Sequence, residues 1–160
     1  MLALVAAALD RPPAPVSGQA RASDGDSFRI GSDRIRLLGI DAPELAQQCT
    51  DGAGRDWPCG RVARDRMADL LAAGAVDCRP EGYDRYDRLL ATCFIGPQDL
   101  GATMVAEGLA VSAGPYWQEQ VAAQQARAGI WSGDFDAPRD WRDDQASPRG
   151  AWGCFSAFGL

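Results

Sequence analysis

Polar and apolar residues alternate along much of the chain after residue 15. This pattern predicts three short strands, near Ser17–Ala22, Ser27–Ile30 and Arg34–Leu38. The Gly-Ser-Asp sequence between the second and third has the composition of a hairpin turn. Two further strands are predicted at Ala75–Arg79 and Leu89–Ile95, joined by a polar stretch.

Helical spacing of apolar residues begins after the third strand. One predicted helical face carries Val62, Ala63, Met67, Leu70 and Leu71. Two more helices are predicted, from about Gln98 to Gly108 and from about Tyr116 to Ala128. Five strands with a helix between the third and fourth follow the order of an OB-type barrel. The predicted fold is therefore α+β, a five-stranded OB-type β-barrel with about three helices.

The composition narrows the chemistry. The chain has 160 residues and 46% hydrophobic content, which suits one packed domain. It contains no histidine, which excludes serine–histidine and cysteine–histidine nucleophile pairs and histidine-ligated metals. All sixteen basic residues are arginine, yet the formal net charge is -6. Any site for a polyanion must therefore be a local cluster of cations.

The N-terminal run Leu2–Leu9 is apolar but much shorter than the roughly 20 residues that a membrane-spanning helix needs. It resembles the end of a secretory signal without the preceding positive region, so the export signal is expected to be truncated; a plain N-terminal segment is the alternative. Residues 1–15 are interpreted as this remnant or a linker, 16–142 as the domain, and 143–160 as a C-terminal tail.

Five cysteines favour an oxidising compartment, and hence a periplasmic or secreted protein. Cys49 and Cys59 bracket a short loop, and Cys78 and Cys93 lie on two predicted strands that flank a turn, so each pair is a disulfide candidate. The alternative for Cys78 and Cys93 is that both are buried thiols. Cys154 is left without a role.

Four carboxylates and an arginine lie close together in the sequence, at Asp24, Asp26, Arg36, Asp41 and Glu44. Carboxylate oxygens are ligands that Ca²⁺ or Mg²⁺ prefers, a guanidinium binds phosphate oxygens, and a glutamate can accept a proton from water. The cluster points to phosphodiester hydrolysis. Separately, the aspartates could form a simple turn and the arginine a surface ion pair.

Several segments together carry a family resemblance. They are Asp24–Ser27, Ile35–Glu44, Asp84–Leu89, Val105–Ala110, and Ala126–Arg127 with Gly129–Trp131. In this order, over roughly residues 16–142, the chain resembles the staphylococcal nuclease, or thermonuclease-like, family.

The resemblance implies a Ca²⁺ site. Asp26 and Asp41 would be direct ligands, and the backbone carbonyl of Ala42 a third. Asp24 would orient metal-bound water or backbone amides from behind the ligands.

The resemblance also implies the catalytic residues. Arg36 and Arg88 would clamp the phosphate, and Glu44 would deprotonate or orient the attacking water. Arg85 and Tyr86 would contact the substrate.

Tyr116 is a further candidate for substrate contact, by stacking on a base or binding a terminal phosphate. The alternative is that its ring packs against the barrel.

The expected function is calcium-dependent hydrolysis of DNA or RNA with low sequence specificity, by a monomer without a membrane span. Two alternatives remain. One is a catalytically silent OB-fold module that binds nucleic acid or protein. The other is an accessory factor in envelope or polysaccharide production.

Overall fold

The computed structural model of the chain describes residues 12–146, which form an α+β fold. The predicted signal remnant up to residue 11 lies outside this range. So does the tail from residue 147, with Cys154. Within residues 12–146, no helix is long and apolar enough to cross a membrane.

Eleven short strands are formed in the described part of the chain: β1 Val16–Gly18, β2 Ala20–Ala22, β3 Ser27–Ile30, β4 Asp33–Leu37, β5 Ile40–Asp41, β6 Cys49–Thr50, β7 Asp56–Trp57, β8 Val76–Tyr83, β9 Leu89–Ile95, β10 Gln98–Asp99 and β11 Val111–Ser112. The helices of the same residues are α1 Cys59–Leu71, α2 Leu100–Ala106, α3 Trp117–Gln125 and α4 Pro138–Ala146, with a 3₁₀ turn at Gly129–Ser132. The expectation of about three helices was therefore too low, because α4 was not predicted.

Seven of these strands form one mixed sheet in the order β1-β8-β9-β4-β3-β2, with β10 paired to β9. Strands β4 and β9 run parallel, and the other neighbours are antiparallel. The first and last strands of this path, β1 and β2, are separated in sequence by Gln19 alone. The hydrogen-bonded order is an open path, so the predicted closed barrel is not confirmed by the pairing within residues 12–146.

The alternation seen in the sequence sorts side chains between the two faces of the sheet. Phe28 of β3 and Ile35 of β4 point into the core and are almost fully buried. Met67 and Leu71 of α1 close that core from the other side. Arg29 of β3 and Arg34 of β4, on the opposite face, are exposed. The same pleat that buries the apolar residues therefore gives the outer face an arginine-rich surface.

Both predicted cysteine pairs form disulfides. Cys49 of β6 is bonded to Cys59, the first residue of α1. Cys78 and Cys93 are directly opposed on β8 and β9 and are bonded across the sheet. By restricting the unfolded chain, each bridge contributes on the order of 3 kcal/mol.

Several element boundaries differ from the sequence-based expectation, and both helices predicted after β9 are shorter than expected. The strand expected at Ser17–Ala22 is divided at Gln19 into β1 and β2. The strand expected to end at Arg79 continues to Tyr83, through an irregularity in register near Pro80. Helix α4 extends on both sides of residue 142.

Candidate functional site

A cleft of about 610 Å³ opens beside strands β4 and β9. Its walls carry Arg34, Arg36, Glu44, Asp84, Arg85, Tyr86, Arg88, Leu90 and Arg142. Five of these residues are arginines and two are acids, so the cleft is locally cationic in a protein whose formal net charge is -6. The fold thus brings together five of the predicted residues, Arg36, Glu44, Arg85, Tyr86 and Arg88.

Arg36 connects the cleft to the two predicted metal ligands. Its Nη2 lies 3.0 Å from Asp41 Oδ1 and 3.3 Å from Asp26 Oδ2. The two carboxylates therefore converge on one cationic nitrogen. The backbone amide of Ala42 donates to the same Asp26 oxygen at 3.2 Å, which places all three predicted metal-site residues side by side.

Asp26 is the most deeply buried acid of the group, with 5% of its surface exposed. Burial raises the pKa of Asp26 to about 8; Arg36 opposes this rise, and the neighbouring Asp24 adds to it. Asp24 accepts a hydrogen bond from the Asp26 amide at 3.1 Å and another from Ser27 Oγ at 2.7 Å. Asp24 therefore holds the turn that carries Asp26. Further positive charge near Asp26 would favour the ionised form of Asp26.

Glu44 lies in the loop between β5 and β6, and its backbone is fixed from two sides. The side chain of the fully buried Gln47 accepts from the Glu44 amide at 3.2 Å and donates to the Asp136 carbonyl at 2.7 Å. On the other side, the carbonyl of Glu44 packs against Gly60 in the first turn of α1. A Cβ atom built on Gly60 would lie only 1.7 Å from that carbonyl oxygen, so the approach requires glycine.

Arg142 of helix α4 holds two of the site carboxylates. Its Nη1 and Nη2 donate to the two oxygens of Asp41, each at 2.9 Å, and Nη1 also donates to Glu44 Oε1 at 2.7 Å. These hydrogen bonds to Asp41 and Glu44 raise the pKa of Arg142, so the side chain stays charged. A cation from the C-terminal helix thus bridges a predicted metal ligand and the predicted catalytic glutamate.

Arg88 is oriented by the turn that precedes β9. Asp84 Oδ1 accepts from the amides of Tyr86 and Arg88, and its Oδ2 accepts from Arg88 Nε at 2.7 Å. Burial opposes the ionisation of Asp84, but these hydrogen bonds prevail and lower its pKa. Among residues 12–146, no ion pair engages the terminal nitrogens of Arg88, so they remain available to the cleft.

Tyr86 stands at the mouth of the cleft between two guanidinium groups. Arg85 lies 4.8 Å and Arg88 5.6 Å from the centre of its ring, and 54% of the residue is exposed. An exposed ring flanked by cations can stack on a base while the arginines attract phosphate.

Tyr116 lies elsewhere. Its hydroxyl donates to the carboxylate of Asp99 at 3.0 Å, its ring packs against Gly101 and Gly39, and 9% of its surface is exposed. It is absent from the cleft lining formed by the described residues. The structure thus gives Tyr116 the packing role, and its predicted contact with substrate gains no support from this geometry.

The donor set suits a hard cation in chemistry. Asp26 and Asp41 offer anionic oxygens, and the raised pKa of buried Asp26 means that added positive charge would stabilise its ionised form. Within residues 12–146 there is no ready group of three or more acidic, cysteine or histidine side chains spaced to hold a metal. The oxygens of Asp41 are engaged by Arg36 and Arg142, so a cation would have to replace at least one of these contacts.

Sequence reasoning gave no site role to four residues of the cleft lining, Arg34, Asp84, Leu90 and Arg142. Arg34 was not considered, although it lies two positions from Arg36 on the same strand and so shares its face. Arg142 was placed in the domain but given no role at the site. It is 101 positions from Asp41 in sequence, and no local pattern encodes that contact.

The sequence of the chain matches one family model and is similar to several known proteins. A family model described as staphylococcal nuclease homologue matches residues 34–133. The chain is 36% identical to the succinoglycan biosynthesis protein ExoI of Rhizobium meliloti, over 73% of this chain and 65% of that protein. It is 31% identical to an uncharacterized endonuclease of Haemophilus influenzae, over 75% of this chain and 68% of that protein.

The chain is also 30% identical to the micrococcal nuclease of Shigella flexneri, over 79% of each protein. It spans just under two thirds of the length of the rhizobial relative. The family model covers well over half of the chain, and the predicted resemblance is confirmed. The chain that forms this cleft of arginines and carboxylates therefore belongs to the staphylococcal nuclease homologue family.

Proposed function

We propose that the chain is a calcium-dependent nuclease that hydrolyses phosphodiester bonds of DNA, RNA or both with little sequence preference. The observation that carries this proposal is the convergence of Arg36, Arg88 and Glu44 on one cationic cleft. Arginine contacts to phosphate oxygens carry no base information, and this accounts for the low specificity.

The two arginines act on the phosphate. A phosphodiester is anionic and gains charge as water attacks, so fixed cations beside the phosphoryl oxygens stabilise the transition state more than the ground state. Arg88 is held by Asp84 through Nε and presents its terminal nitrogens. Arg36 presents its guanidinium from β4, tied to Asp41.

Glu44 acts on the water. Its carboxylate lines the cleft, and its backbone is fixed by Gln47 and Gly60. It accepts a proton from the attacking water or orients that water. A carboxylate is a weak base, so alignment supplies much of the effect.

Asp26, Asp41 and the carbonyl of Ala42 would hold Ca²⁺, and Asp24 would keep the turn of Asp26 in place. When bound, the ion supplies positive charge beside the phosphate and lowers the pKa of water. Asp41 would give up part of its bonding to Arg142 when it binds the ion.

Arg85 and Tyr86 contact the substrate at the mouth of the cleft. Because Tyr86 is exposed and lies between Arg85 and Arg88, it can stack on a base beside the bound phosphate.

The curved sheet is proposed to be an OB-type barrel, with residues 16–22 as the strand that borders both of its ends. β1 pairs with β8 and β2 pairs with β3, so the two ends of the sheet meet at Gln19. The protein is proposed to be monomeric. The two disulfides support an oxidising location, the periplasm or the exterior.

Cleavage of single-stranded DNA at low salt tests this function, with calcium and then with excess chelator, comparing the wild type with Glu44→Gln. We expect cutting that requires calcium and collapses in the variant. Gln118→Ala, an exposed change on α3, is the matched control. Absence of cutting by folded, calcium-loaded wild type would contradict the proposal.

A role without catalysis is the second candidate. The rhizobial relative is named for succinoglycan biosynthesis, and Arg142 already engages the carboxylates that catalysis would need. On that reading the chain is a binding module or an accessory factor in polysaccharide production. Retention of an oligonucleotide without cleavage, with or without calcium, would favour it.

A further inference from the structure

Three arginines form a row across three neighbouring strands of the sheet. Arg21 of β2 is directly opposite Arg29 of β3, and Arg29 is directly opposite Arg34 of β4. Directly paired residues point to the same face, and all three are exposed. The next strand along the sheet is β9, which is preceded by Arg88.

The row is continuous with the cleft. A hollow of about 230 Å³ is bordered by Arg29, Arg34 and Arg88, and so shares the last two with the cleft. A second hollow, of about 350 Å³, is bordered by Arg21 and Arg29. The three depressions therefore share arginines from one to the next and form a single path over the outer face.

Acids lie near the row, with Asp24 bordering the hollow of Arg29 and Arg34 and Asp33 bordering another hollow with Arg34, but none of the described acids is within ion-pair distance of it. Among residues 12–146, the guanidinium groups of Arg21, Arg29 and Arg34 form no ion pair, although the chain has 22 acidic residues against 16 basic ones. Like charges directly opposite each other on a sheet cost stability. A row of cations without ion pairs on an otherwise acidic protein is therefore a feature that a bound polyanion would explain.

We propose that this row of Arg21, Arg29 and Arg34 binds the phosphodiester backbone of a single-stranded nucleic acid, beyond the phosphate held in the cleft. Strands lie about 4.8 Å apart, so the row spans about 10 Å, over which one strand with B-form spacing presents about three phosphates. The preferred ligand is then a chain of several nucleotides. This inference rests on the proposed function for the identity of the ligand.

The test is binding, without cleavage. Fluorescence anisotropy in excess chelator measures the affinity of the Glu44→Gln full chain for labelled oligothymidylates of 3 and 12 residues at several salt concentrations. The row variant adds Arg21→Gln and Arg29→Gln. The matched control adds Arg61→Gln and Arg127→Gln, two exposed arginines outside the cleft and both hollows, with the same change in net charge.

Loss of two phosphate contacts should lower the slope of log affinity against log salt by about 1.4 and weaken binding of the 12-mer about 25-fold at 0.1 M salt. We expect less than about threefold weakening for the 3-mer and for the control with either length. Melting of the row variant should occur at or above the temperature of its parent, because removing opposed like charges relieves repulsion. That readout also establishes that the variant is folded.

Equal weakening by the row and control variants would overturn the inference, because net charge alone would then explain it. An unchanged slope for the 12-mer would also overturn it. So would loss of binding to an acidic polysaccharide in the row variant while oligothymidylate binding is retained. If the wild type never cuts but binding still depends on the row, the inference stands and the proposed nuclease is rejected. If the wild type cuts with calcium but the row variant leaves the salt slope of 12-mer binding unaltered, the proposed nuclease stands and the inference is rejected.

Discussion

Replacing Arg142 with glutamine should separate calcium binding from folding. Arg142 makes three charge-assisted hydrogen bonds, two to Asp41 and one to Glu44. In the calcium-free protein the Arg142→Gln variant leaves two neighbouring carboxylates with less neutralising charge. In the calcium-bound protein the ion would supply that charge instead. The variant should therefore lose stability mainly when calcium is absent.

The size of the effect follows from exposure. Hydrogen bonds to charged groups contribute about 1.5–3 kcal/mol each when buried. The side chains of Arg142 and Glu44 are 36% and 33% exposed, so solvent reduces their pair to the surface range of about 1 kcal/mol or less. Asp41, at 14%, is better shielded. A total of about 1.5 kcal/mol is expected without calcium and less than about 0.5 kcal/mol with it.

The same difference in stability should also appear as a change in the affinity for calcium. In the proposed site Arg142 and calcium would compete for the oxygens of Asp41, so a difference of about 1–1.5 kcal/mol between the two losses corresponds to about tenfold tighter calcium binding by the variant. Calorimetric titration with calcium measures the affinity, and thermal melting in chelator and in saturating calcium measures the stability. For a domain of this size, 1.5 kcal/mol shifts Tm by about 5 °C.

Arg139→Gln is the matched control, because this arginine is exposed in the first turn of the same helix. It should alter neither the calcium affinity nor the gap between the two melting temperatures. Equal destabilisation of Arg142→Gln with and without calcium, together with unchanged affinity, would refute the reasoning. Arg142 would then be a structural clamp only.

Three further predictions concern the cleft and its supports. Arg36→Ala should lower kcat by on the order of 10³-fold on purified DNA, and Arg36→Lys should rescue it only in part because lysine lacks the planar fork; near-normal turnover by the alanine variant would reject the clamp. Gly60→Ala should displace the Glu44 carbonyl and cost about 1–3 kcal/mol in denaturant unfolding, whereas Gly82→Ala, whose Cβ meets no atom within 4 Å, should not. Because the folded pKa of Asp84 is lowered, its contribution is present above the unfolded pKa near 3.8 and disappears as pH falls through the folded pKa. Asp84→Asn should therefore lose stability at pH 7, with the difference from wild type shrinking below about pH 4; a pH-independent difference in unfolding free energy would contradict this.

Local pattern was enough for the elements with strong alternation. Strands β3 and β9 have the predicted bounds: buried residues recur at every second position of β9 up to Cys93, and Gly31 supplies a tight turn with positive φ after β3. Helix α1 was predicted from its apolar face, which begins a few residues earlier than expected. In these segments local periodicity and tertiary burial favour the same structure.

Helix α4 could not be predicted in this way. Its sequence is mostly charged, and Pro138 is its only fully buried residue. A short helix with so few apolar residues offers little core-facing pattern, and Arg142 ties it to the fold through contacts with Asp41 and Glu44. Local sequence patterns do not reveal contacts between residues that are so far apart in the chain.

The candidate site was predictable where residue type and order carried it, as with Arg36, Glu44 and Arg88. The sequence could not say which side of the fold Tyr116 would face, since an aromatic residue near a helix start fits both packing and stacking. In the structure its hydroxyl donates to Asp99 and its ring is buried, which fits packing. Arg21 and Arg29 acquire meaning only from the register of the sheet.

Because residues 16–22 are divided at Gln19 into two strands, this short segment covers two edges of the sheet. β1 covers β8 and β2 covers β3, so the main-chain groups of both are paired by this stretch alone on those sides. Trimming the chain to residue 23 would uncover both edges at once, and each would offer open hydrogen-bonding groups to a strand from another molecule. Shortened forms are therefore expected to exchange strands or aggregate.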